Sequence, residues 1–325
     1  MINIGINGFG RIGKLVSRLI LRDTRCKLVS INHPSMTKHD FTSLLKYDSA
    51  HGIYNYNKHC VDAVNIHNHS APIDIRWEDN INVIIDTTGK FKEAENIEDH
   101  LLYTNLSDDT NIIVSAPSKT LPMFVYGANH MDYNGENNIS AASCTTTCLA
   151  PIVKLLHNHY GITGGLATTI HSVTASQFVV DKYTPGKRTG RTILNNIIPS
   201  TTGSASSIGK IIPELDGKIN AISVRVPVQD VSLLDLVLHM ENSPSLSEIM
   251  DVLGHGPNSC DTIDVTNELL VSSDYIGSPY NAIIDVSASI KQDNLYKIVA
   301  WYDNEMGYAT NILRLIKYIR FPDHK

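Results

Sequence analysis

The sequence has no excess of positive charge and no long apolar run. Its 27 lysine and arginine residues are outnumbered by 33 aspartate and glutamate residues, so the formal net charge is −6. This charge argues against a nucleic-acid-binding module, because such a module presents a basic surface to phosphates. No stretch approaches the ~20 apolar residues of a membrane-spanning helix, and no signal-peptide pattern opens the chain. We therefore expect a cytoplasmic protein that binds neither nucleic acid nor membranes.

Cysteine is also scarce. An odd number of cysteines spread over a long chain is typical of a reducing compartment rather than of a disulfide framework. Cys144 and Cys148 are spaced by one helical turn, but no second Cys or His pair at zinc-ligand spacing accompanies them. The sequence therefore predicts no metal site. The five cysteines are Cys26, Cys60, Cys144, Cys148 and Cys260.

The sequence shows no internal repeat, and its length and composition fit a globular protein of two domains. Of its 325 residues, 42% are hydrophobic and 18% are charged, which is ordinary for such a protein. In the first part strands and helices alternate, which predicts a Rossmann-type parallel sheet covered by helices. The predicted strands cover residues 2–6, 27–31, 83–86 and 111–115, and the predicted helices cover residues 10–21, 37–47 and 94–102.

From residue 165 onward the pattern changes to longer β-branched runs. These runs are typical of a mostly antiparallel sheet and so predict a second domain of the α+β class. Residues 305–320 have helical apolar spacing, and we expect this helix to pack onto the first domain, with a membrane-surface helix as the alternative. The polar residues 181–190 predict a long functional loop. The predicted strands cover residues 165–174, 220–226, 231–240, 281–289 and 296–301.

A glycine motif follows the first predicted strand. The strand runs into Gly8, Gly10 and Gly13, and an amphipathic run follows at residues 14–21. Strand, G-x-G-x-x-G and helix in this order form the context that the dinucleotide-binding fingerprint requires. The glycines allow a tight turn and the close approach of a pyrophosphate, and the helix N-terminus attracts its charge. The motif predicts a mononucleotide or dinucleotide site.

Residues 143–148 read Ser-Cys-Thr-Thr-Thr-Cys, and Cys144 is predicted to stand where a strand ends and a helix begins. The backbone N–H groups and the positive dipole end of a helix favour a thiolate over a thiol. A thiolate beside such donors can attack a carbonyl carbon and have the resulting oxyanion held by them. The alternative interpretation is a buried cysteine that packs as a small hydrophobe.

Several other short motifs occur in a fixed order along the chain. On the basis of these motifs, the chain resembles the phosphorylating glyceraldehyde-3-phosphate dehydrogenases along essentially its whole length. The motifs are Asn7-Gly8-Phe9-Gly10-Arg11-Ile12-Gly13, Tyr47-Asp48-Ser49, Ser115-Ala116-Pro117, Ala142-Ser143-Cys144-Thr145-Thr146, His171-Ser172-Val173-Thr174-Ala175, Asn196-Ile197-Ile198-Pro199, Arg225-Val226-Pro227 and Trp301-Tyr302-Asp303-Asn304-Glu305.

The resemblance implies an NAD-binding domain of residues 1–143, completed by the C-terminal helix at 305–325, and a catalytic domain of residues 144–304. It further implies a glycolytic homotetramer that oxidises D-glyceraldehyde 3-phosphate to 1,3-bisphosphoglycerate, with NAD and inorganic phosphate as the other reactants. In such an enzyme Cys144 would form a thioester and His171 would act as the base.

The resemblance also implies ligand contacts for other residues. Hydroxyl, backbone N–H and guanidinium donors suit tetrahedral phosphate groups. The residues implied for the cofactor are Gly8, Gly10, Arg11, Ile12, Gly13, Asn32, His33, Ser115, Asn304 and Tyr308. Those implied for the substrate phosphate are Thr174, Arg191 and Arg225, and those for the attacking phosphate are Ser143, Thr145, Thr202 and Gly203.

Three departures from the family pattern concern the adenosine end of the cofactor. His33 stands where the family typically has Asp; it cannot accept two ribose hydrogen bonds and, when protonated, it tolerates a 2′-phosphate. The segment at residues 73–77 is shorter than in the family. Lys182 and Tyr183 replace residues that are usually small or apolar. NADP is therefore an alternative to NAD.

Two departures lie nearer the nucleophile. Thr147 stands where the family usually has Asn, which predicts looser geometry around Cys144. Phe178 stands where the family usually has Lys, which predicts a raised Michaelis constant for a phosphorylated substrate. The functional alternatives are an erythrose-4-phosphate dehydrogenase, a non-phosphorylating relative that releases the free acid, and a divergent, inactive binding protein.

Overall fold

The computed structural model describes residues 1–102, 104–185, 188–254 and 261–321. These residues form two compact units. The first unit comprises Met1–Phe124, His130–Ser143 and the chain from Ala309, and the second comprises Val125–Asn129 and Cys144–Tyr308. Some predicted features lie outside the described residues, namely Cys260, residues 186–187 of the polar loop and residues 322–325 of the C-terminal segment.

Strands and helices alternate in the first unit. Its elements are β1 (Ile2–Asn7), α1 (Arg11–Ile20), β2 (Cys26–Asn32), α2 (Lys38–Lys46), α3 (Lys58–Asp62), β3 (Asn65–His67), β4 (Val83–Asp86), α4 (Ala94–Ile97), β5 (Asn111–Val114) and β6 (Asn138–Ser140). The strands form one parallel sheet in the order β3-β2-β1-β4-β5-β6. Strands such as β4 and β5 are buried on both faces, as a parallel sheet covered by helices requires. The predicted Rossmann-type sheet is confirmed.

The helix predicted at residues 94–102 is shorter than expected. α4 ends at Ile97 and continues as a single 3₁₀ turn, Glu98–His100. The tighter turn accompanies the complete burial of His100, whose Nε2 lies 3.2 Å from Asp86 Oδ2 and whose Nδ1 accepts from Trp77 Nε1 at 3.2 Å. These contacts with Asp86 and Trp77 outweigh the local helical pattern.

The second unit contains a seven-stranded mixed sheet. Its elements are α5 (Cys144–Tyr160), β7 (Ile162–His171), β8 (Ile198–Thr201), α6 (Ser204–Ile211), β9 (Ile219–Arg225), β10 (Ser232–Met240), α7 (Leu246–Gly254), β11 (Ile263–Thr266), β12 (Ala282–Gln292) and β13 (Leu295–Tyr302). The last helix, α8 (Met306–Arg320), begins in this unit and leaves it after Tyr308. The strand order is β11-β12-β13-β10-β7-β9-β8, and only the β11/β12 and β7/β9 neighbours are parallel. The predicted mostly antiparallel sheet is confirmed.

The strand predicted at residues 165–174 lies three residues too late. β7 ends at His171 because the chain then turns away: the Val173 N–H donates to Val228 O at 2.9 Å, and the Thr174 N–H donates to Gln177 Oε1 at 2.8 Å. His171 is therefore the last residue of a strand, and Thr174 lies in the turn that follows. Sequence reasoning also missed shorter elements, where periodicity has too few residues to be visible, namely α3, β3, β6, β8, α6, α7 and β11.

The last helix, α8, belongs to the first unit from Ala309 onward. There Lys317 Nζ donates to Asp23 Oδ2 at 2.6 Å, and Arg320 Nη1 donates to Asp109 O at 2.9 Å. Within the described residues no helix is both long and apolar enough to cross a bilayer.

Candidate active site

The chain makes a strained turn just before Cys144. Ala142 is fully buried and has a φ of 58°, in the left-handed region that costs a non-glycine residue about 1 kcal/mol. The Ser140 hydroxyl holds this turn, because it donates to Ala116 O at 2.6 Å and accepts from the Ala142 N–H at 3.1 Å. Helix α5 begins at Cys144, so the sulfur stands on the first residue of a helix.

Cys144 and His171 face each other within the second unit. The distance from Cys144 Sγ to His171 Nε2 is 3.4 Å. His171 ends β7 and is only 2% exposed, so the packing around it fixes the direction of its ring. A thiol and an imidazole at this distance can exchange a proton, and the two residues are a candidate nucleophile and base.

The helix end alone does not make Cys144 a thiolate. Burial raises the pKa of the Cys144 thiol, although the Arg225 charge and the Thr145 N–H and hydroxyl act in the opposite direction. The donors at the helix start favour the thiolate, as expected, but desolvation outweighs them. Ionisation of this thiol needs a proton acceptor within reach, and His171 is placed to be that group.

His171 is neutral at neutral pH. Burial, together with the nearby Arg225 charge, lowers the pKa of His171 to about 4, against the opposing effect of the Ser172 carbonyl. The Nδ1 atom lies 2.8 Å from Ser172 O and 2.8 Å from Arg225 Nη1. A neutral imidazole is the form that can accept a proton from a thiol.

Tyr302 connects the helix of the nucleophile to the strand of the base. Its hydroxyl lies 3.0 Å from Thr145 Oγ1 and is also hydrogen-bonded to Thr169 Oγ1. Its ring stands edge-on to His171, with the ring centroids 6.1 Å apart. Burial raises the pKa of Tyr302, so the hydroxyl keeps its proton. Tyr302 stands in one of the family motifs, but the sequence predicted no role for it, because its contacts join positions as far as 157 apart in the chain.

Two hydroxyl groups fix the side chain of Asn304. Its Oδ1 accepts from Ser172 Oγ at 2.8 Å and from Ser232 Oγ at 2.7 Å. Because both hydroxyls bind the oxygen, the Nδ2 hydrogens point in a fixed direction as donors. Tyr308, in α8, is buried, and burial raises its pKa well above the ordinary value, so its ring stays neutral.

Apart from Ser143, which is the last residue of the first unit before Cys144, the residues predicted to bind phosphate are spread over the second unit. Thr174 is exposed in the turn after β7, whereas Thr202 and Gly203 stand at the start of α6, where Gly203 is the N-cap. Arg225 ends β9 beside His171. Arg191 is exposed and forms an ion pair at 3.0 Å with Asp181 of the polar loop, and its phosphate contact stays a prediction.

The glycine motif forms a tight turn between β1 and α1. Gly8 has a φ of +99°, and a Cβ at Gly13 would lie 2.2 Å from Gly8 O. At Gly10, in contrast, a Cβ would meet no described atom within 4 Å. Gly10 is the N-cap of α1, and no described side chain caps this helix. An uncapped helix start with open space in front of it fits a pyrophosphate.

Two glycine substitutions separate folding from binding at this turn. Gly13→Ala is expected to lower the free energy of unfolding by roughly 1–3 kcal/mol, because its methyl group overlaps the Gly8 carbonyl. Gly10→Ala should unfold within about 1 kcal/mol of the wild type but bind NAD at least about tenfold more weakly, because its methyl group fills the open space. Urea unfolding and calorimetric titration with NAD measure the two effects. Unchanged NAD binding by folded Gly10→Ala would contradict this placement of the pyrophosphate.

Arg11 and Ile12 occupy the first turn of α1. The Arg11 guanidinium binds both carboxylate oxygens of Asp48, and Lys14 binds the same carboxylate. Burial alone would raise the pKa of Asp48, but these donors bring it far below its ordinary value. The guanidinium is therefore held by Asp48, and what Arg11 presents at the helix start is its backbone.

Asn32 and Ser115 lie at the carboxyl ends of β2 and β5 in the parallel sheet, the edge where ligands of such sheets bind. The Asn32 amide donates to Asn7 Oδ1 at 2.8 Å, and the Asn7 amide donates to Asp86 Oδ2 at 2.7 Å. The Ser115 N–H donates to Asp86 O at 2.9 Å. This buried network fixes the backbone at the edge where the glycine turn opens.

Comparisons with known proteins identify a family for both the N-terminal and the C-terminal part of the chain. Residues 2–94 match the model of the glyceraldehyde 3-phosphate dehydrogenase NAD binding domain, and residues 143–304 match that of the C-terminal domain of the same family. Glyceraldehyde-3-phosphate dehydrogenase 1 of Kluyveromyces lactis is 38% identical over 332 residues, which cover 98% of this chain and 100% of the relative. The chain belongs to the glyceraldehyde-3-phosphate dehydrogenase family.

Other relatives of the family match over a similar extent. Glyceraldehyde-3-phosphate dehydrogenase 1 of Saccharomyces cerevisiae is 39% identical over 334 residues, covering 98% of this chain and 99% of the relative. The cytosolic glyceraldehyde-3-phosphate dehydrogenase of Sinapis alba is 40% identical over 331 residues, covering 97% of each chain.

Two departures from the family pattern lie on elements that carry the active site. Thr147 is 1% exposed on α5, and its Oγ1 has no hydrogen-bond partner among the described residues. Phe178 lies in the segment after β7, and Lys182 Nζ stands 4.9 Å from the centroid of its ring. The Lys182 ammonium group of the exposed loop therefore lies close to Phe178, the position where the family usually has Lys.

His33, one of the departures at the adenosine end of the cofactor, lines a cavity of about 300 Å³ in the first unit. Phe9, Met36, Asp40 and Leu44 line the same cavity. The Asp40 carboxylate is already bound by the Thr37 N–H and hydroxyl at the start of α2. Asp40 thus forms part of the capping box of α2.

Proposed function

We propose that this protein is an NAD-dependent, phosphorylating glyceraldehyde-3-phosphate dehydrogenase of glycolysis. The observation that carries the proposal is the 3.4 Å contact between Cys144 Sγ and His171 Nε2. Residues 1–143 and the C-terminal helix at 305–325 form the NAD-binding domain of the proposal, and residues 144–304 form its catalytic domain. The family membership and the relatives' names support the substrate.

Covalent catalysis by Cys144 explains why a thiol and an imidazole are paired. The Cys144 sulfur attacks the aldehyde carbon to give a hemithioacetal, and His171 takes the proton of its hydroxyl group. When bound, the nicotinamide cofactor supplies the acceptor for the hydride, whose loss converts the hemithioacetal into a thioester. Inorganic phosphate then cleaves the thioester to the acyl phosphate and frees the sulfur.

The donors around the sulfur would hold the cofactor and the two phosphate groups. The fixed Nδ2 hydrogens of Asn304 would bind the carboxamide of the nicotinamide, and the Tyr308 ring would contact the nicotinamide ring. Thr174, Arg191 and Arg225 bind the substrate phosphate. The attacking phosphate is held by Ser143, Thr145, Thr202 and Gly203.

Phosphate dependence tests the proposed reaction. With glyceraldehyde 3-phosphate and NAD, we expect NADH formation to run on to completion only in the presence of inorganic phosphate, because the thioester needs a nucleophile. Turnover without phosphate would instead identify an enzyme that releases the free acid. A higher kcat/KM with erythrose 4-phosphate would identify an erythrose-4-phosphate dehydrogenase. If neither aldehyde were turned over, the divergent, inactive binding protein would be the remaining alternative.

His33 leaves the choice between NAD and NADP open to test. His33→Asp is expected to bind NAD about tenfold more tightly and NADP about tenfold more weakly, because a carboxylate accepts the ribose hydrogen bonds and repels a 2′-phosphate. Calorimetric titration with both cofactors measures the change. His39→Asp, an exposed position on α2, is the charge-matched control. Equal affinities in the wild type and His33→Asp would show that this position does not contact the ribose.

Tyr302 is expected to position the catalytic pair through its two threonine contacts. Tyr302→Phe should lower kcat about tenfold, the effect of losing about 1–1.5 kcal/mol of hydrogen bonding at the site. Tyr296→Phe is the matched control: it is fully buried on the same strand and donates to Pro244 O at 2.9 Å. Both variants should lose similar stability in urea, but only Tyr302→Phe should lose kcat. An equal loss of kcat in the two variants would show that Tyr302 has only a structural role.

A homotetramer and a cytosolic location complete the proposal. Leu166 of β7 and Ile222 of β9 share one sheet face and are 65% and 53% exposed, which is the kind of surface that subunit contacts cover. The cytosolic relative from Sinapis alba supports the location.

A further inference from the structure

His100 lies in the core of the first unit, with none of its surface exposed to solvent. Its Nδ1 lies 3.2 Å from Trp77 Nε1, and its Nε2 lies 3.2 Å from Asp86 Oδ2. An indole N–H only donates, so Nδ1 is the nitrogen that accepts. A proton on Nδ1 would face that N–H, and the ring therefore carries its proton on Nε2 and donates it to Asp86.

Asp86, the last residue of β4, is 1% exposed. In the described part of the chain four donors surround its carboxylate. Oδ2 accepts from His100 Nε2 and, at 2.7 Å, from the Asn7 amide. Oδ1 accepts from the Thr88 N–H at 2.9 Å and from the Thr88 hydroxyl at 2.6 Å. A carboxylate buried so deeply depends on such donors in place of water, so the loss of one donor disturbs its position.

The other donors to Asp86 belong to the glycine turn and to the loop beside it. Asn7 ends β1, and its backbone leads directly into Gly8. Thr88 follows β4, and its neighbour Thr87 joins that loop to the turn. The Thr87 N–H donates to Asn7 O at 2.8 Å, and the Thr87 hydroxyl donates to Gly8 O at 2.8 Å. The Asp86 carboxylate thus holds the turn and the neighbouring loop against each other.

The same contacts extend to the end of β2. Asn7 Oδ1 accepts from the Asn32 amide at 2.8 Å, and the Gly8 N–H donates to Asn32 O at 2.8 Å. The Asn32 side chain also binds the backbone of His69 through two hydrogen bonds, of 2.9 and 3.0 Å. A displacement of Asp86 therefore reaches both the pyrophosphate end and the adenosine end of the proposed cofactor site.

We propose that His100 is a positioning residue for the nicotinamide cofactor. Its Nε2 proton holds the Asp86 carboxylate against Asn7 and Thr88, and this keeps the glycine turn in the conformation that receives the pyrophosphate. The fully buried ring is closed to a bound ligand, so it acts only through Asp86. This inference rests on the proposed function, which places NAD at the glycine turn.

Two substitutions separate the two hydrogen bonds of His100. In His100→Gln the side-chain amide reaches the place of Nε2 and still donates to Asp86, but Trp77 loses its acceptor. In His100→Asn the shorter amide reaches only the place of Nδ1, so its oxygen still accepts from Trp77 but Asp86 loses a donor. If His100 only filled space in the core, the two variants would bind the cofactor alike.

Calorimetric titration with NAD measures the difference. His100→Asn is expected to bind NAD about tenfold more weakly than the wild type, the effect of losing one hydrogen bond to a charged group. His100→Gln should bind within about twofold of the wild type, although both variants should unfold at lower urea concentrations. In steady-state assays we expect His100→Asn to raise the KM for NAD about tenfold and to leave kcat within about twofold, because the candidate nucleophile and base lie in the second unit.

Trp77→Phe is the control for lost stability. Trp77 is 3% exposed, and its replacement removes the indole donor but leaves the contact between His100 and Asp86. We expect a lower urea midpoint and an NAD affinity within about twofold of the wild type. If His100→Asn is only partly folded, the shift of its urea midpoint with NAD concentration gives the affinity instead.

Three results would each overturn the proposal. They are an unchanged NAD affinity in His100→Asn, an equal loss of affinity in His100→Asn and His100→Gln, and a loss in Trp77→Phe as large as that in His100→Asn. Any of these results in an active dehydrogenase overturns this inference alone. The expected order of NAD affinities in a protein without dehydrogenase activity overturns the proposed function alone.

Discussion

Cys144→Ser is expected to lower kcat by about 10⁴-fold or more, the largest effect of any single substitution in the chain. A serine hydroxyl is a far weaker nucleophile than a thiol, and the 3.4 Å contact with neutral His171 does not make it an alkoxide. Initial rates of NADH formation with glyceraldehyde 3-phosphate, NAD and phosphate measure the loss. The substitution changes one atom, so we expect the urea unfolding midpoint to stay near that of the wild type.

Cys148 provides the matched control for Cys144→Ser. It lies one turn further along α5 and is fully buried, and burial raises its pKa well above the ordinary value, so it stays an inert thiol. Cys148→Ala should cost about 1 kcal/mol of stability and leave kcat within a few-fold of the wild type. Substantial turnover by Cys144→Ser, or a comparable loss in Cys148→Ala, would overturn the assignment of the nucleophile.

His171→Asn is expected to lower kcat by about 10³-fold, within the range of general base catalysis. Without the imidazole, the thiol must lose its proton to solvent, and burial raises the pKa of that thiol. The activity of the variant should therefore rise with pH, by about tenfold per unit up to the thiol pKa. The wild type should show no such rise, because His171, with a pKa of about 4, is already neutral and able to accept a proton.

The pH profile separates a catalytic base from a structural residue. A merely structural loss would lower the rate equally at every pH, so parallel profiles for the wild type and His171→Asn would contradict the account. His239→Asn is the control, because His239 is exposed on β10, where its Nδ1 lies 2.8 Å from Thr163 Oγ1. We expect this variant to match the wild type throughout.

Much of the fold could be predicted because its strongest signals are local. The run from β1 through Gly8, Gly10 and Gly13 into α1 carries its own turn chemistry, and β4 is apolar at the positions that a parallel sheet buries. The errors came where distant contacts decide. α4 gives way to a 3₁₀ turn at the buried His100, and β7 ends at His171 because the turn beyond it bonds to Val228 and Gln177.

The candidate site was predictable in its residue types but not in its electrostatics. The start of α5 at Cys144 follows from the local sequence, whereas the ionisation of the thiol depends on how deeply it is buried, which the local sequence does not show. The contacts of Arg225 with His171 and of Tyr302 with Thr145 span 54 and 157 positions. Such contacts exist only once the sheet of the second unit has formed.

The central claim is that Cys144 carries the acyl group during turnover, and mass spectrometry of the trapped protein tests it most directly. The protein is mixed with glyceraldehyde 3-phosphate and NAD without inorganic phosphate, quenched in acid and digested. We predict one 3-phosphoglyceroyl group per chain, on the peptide that contains Cys144, and its loss when phosphate is added before quenching. NADH formation with this peptide unmodified, or with the acyl group on another residue, would contradict the account.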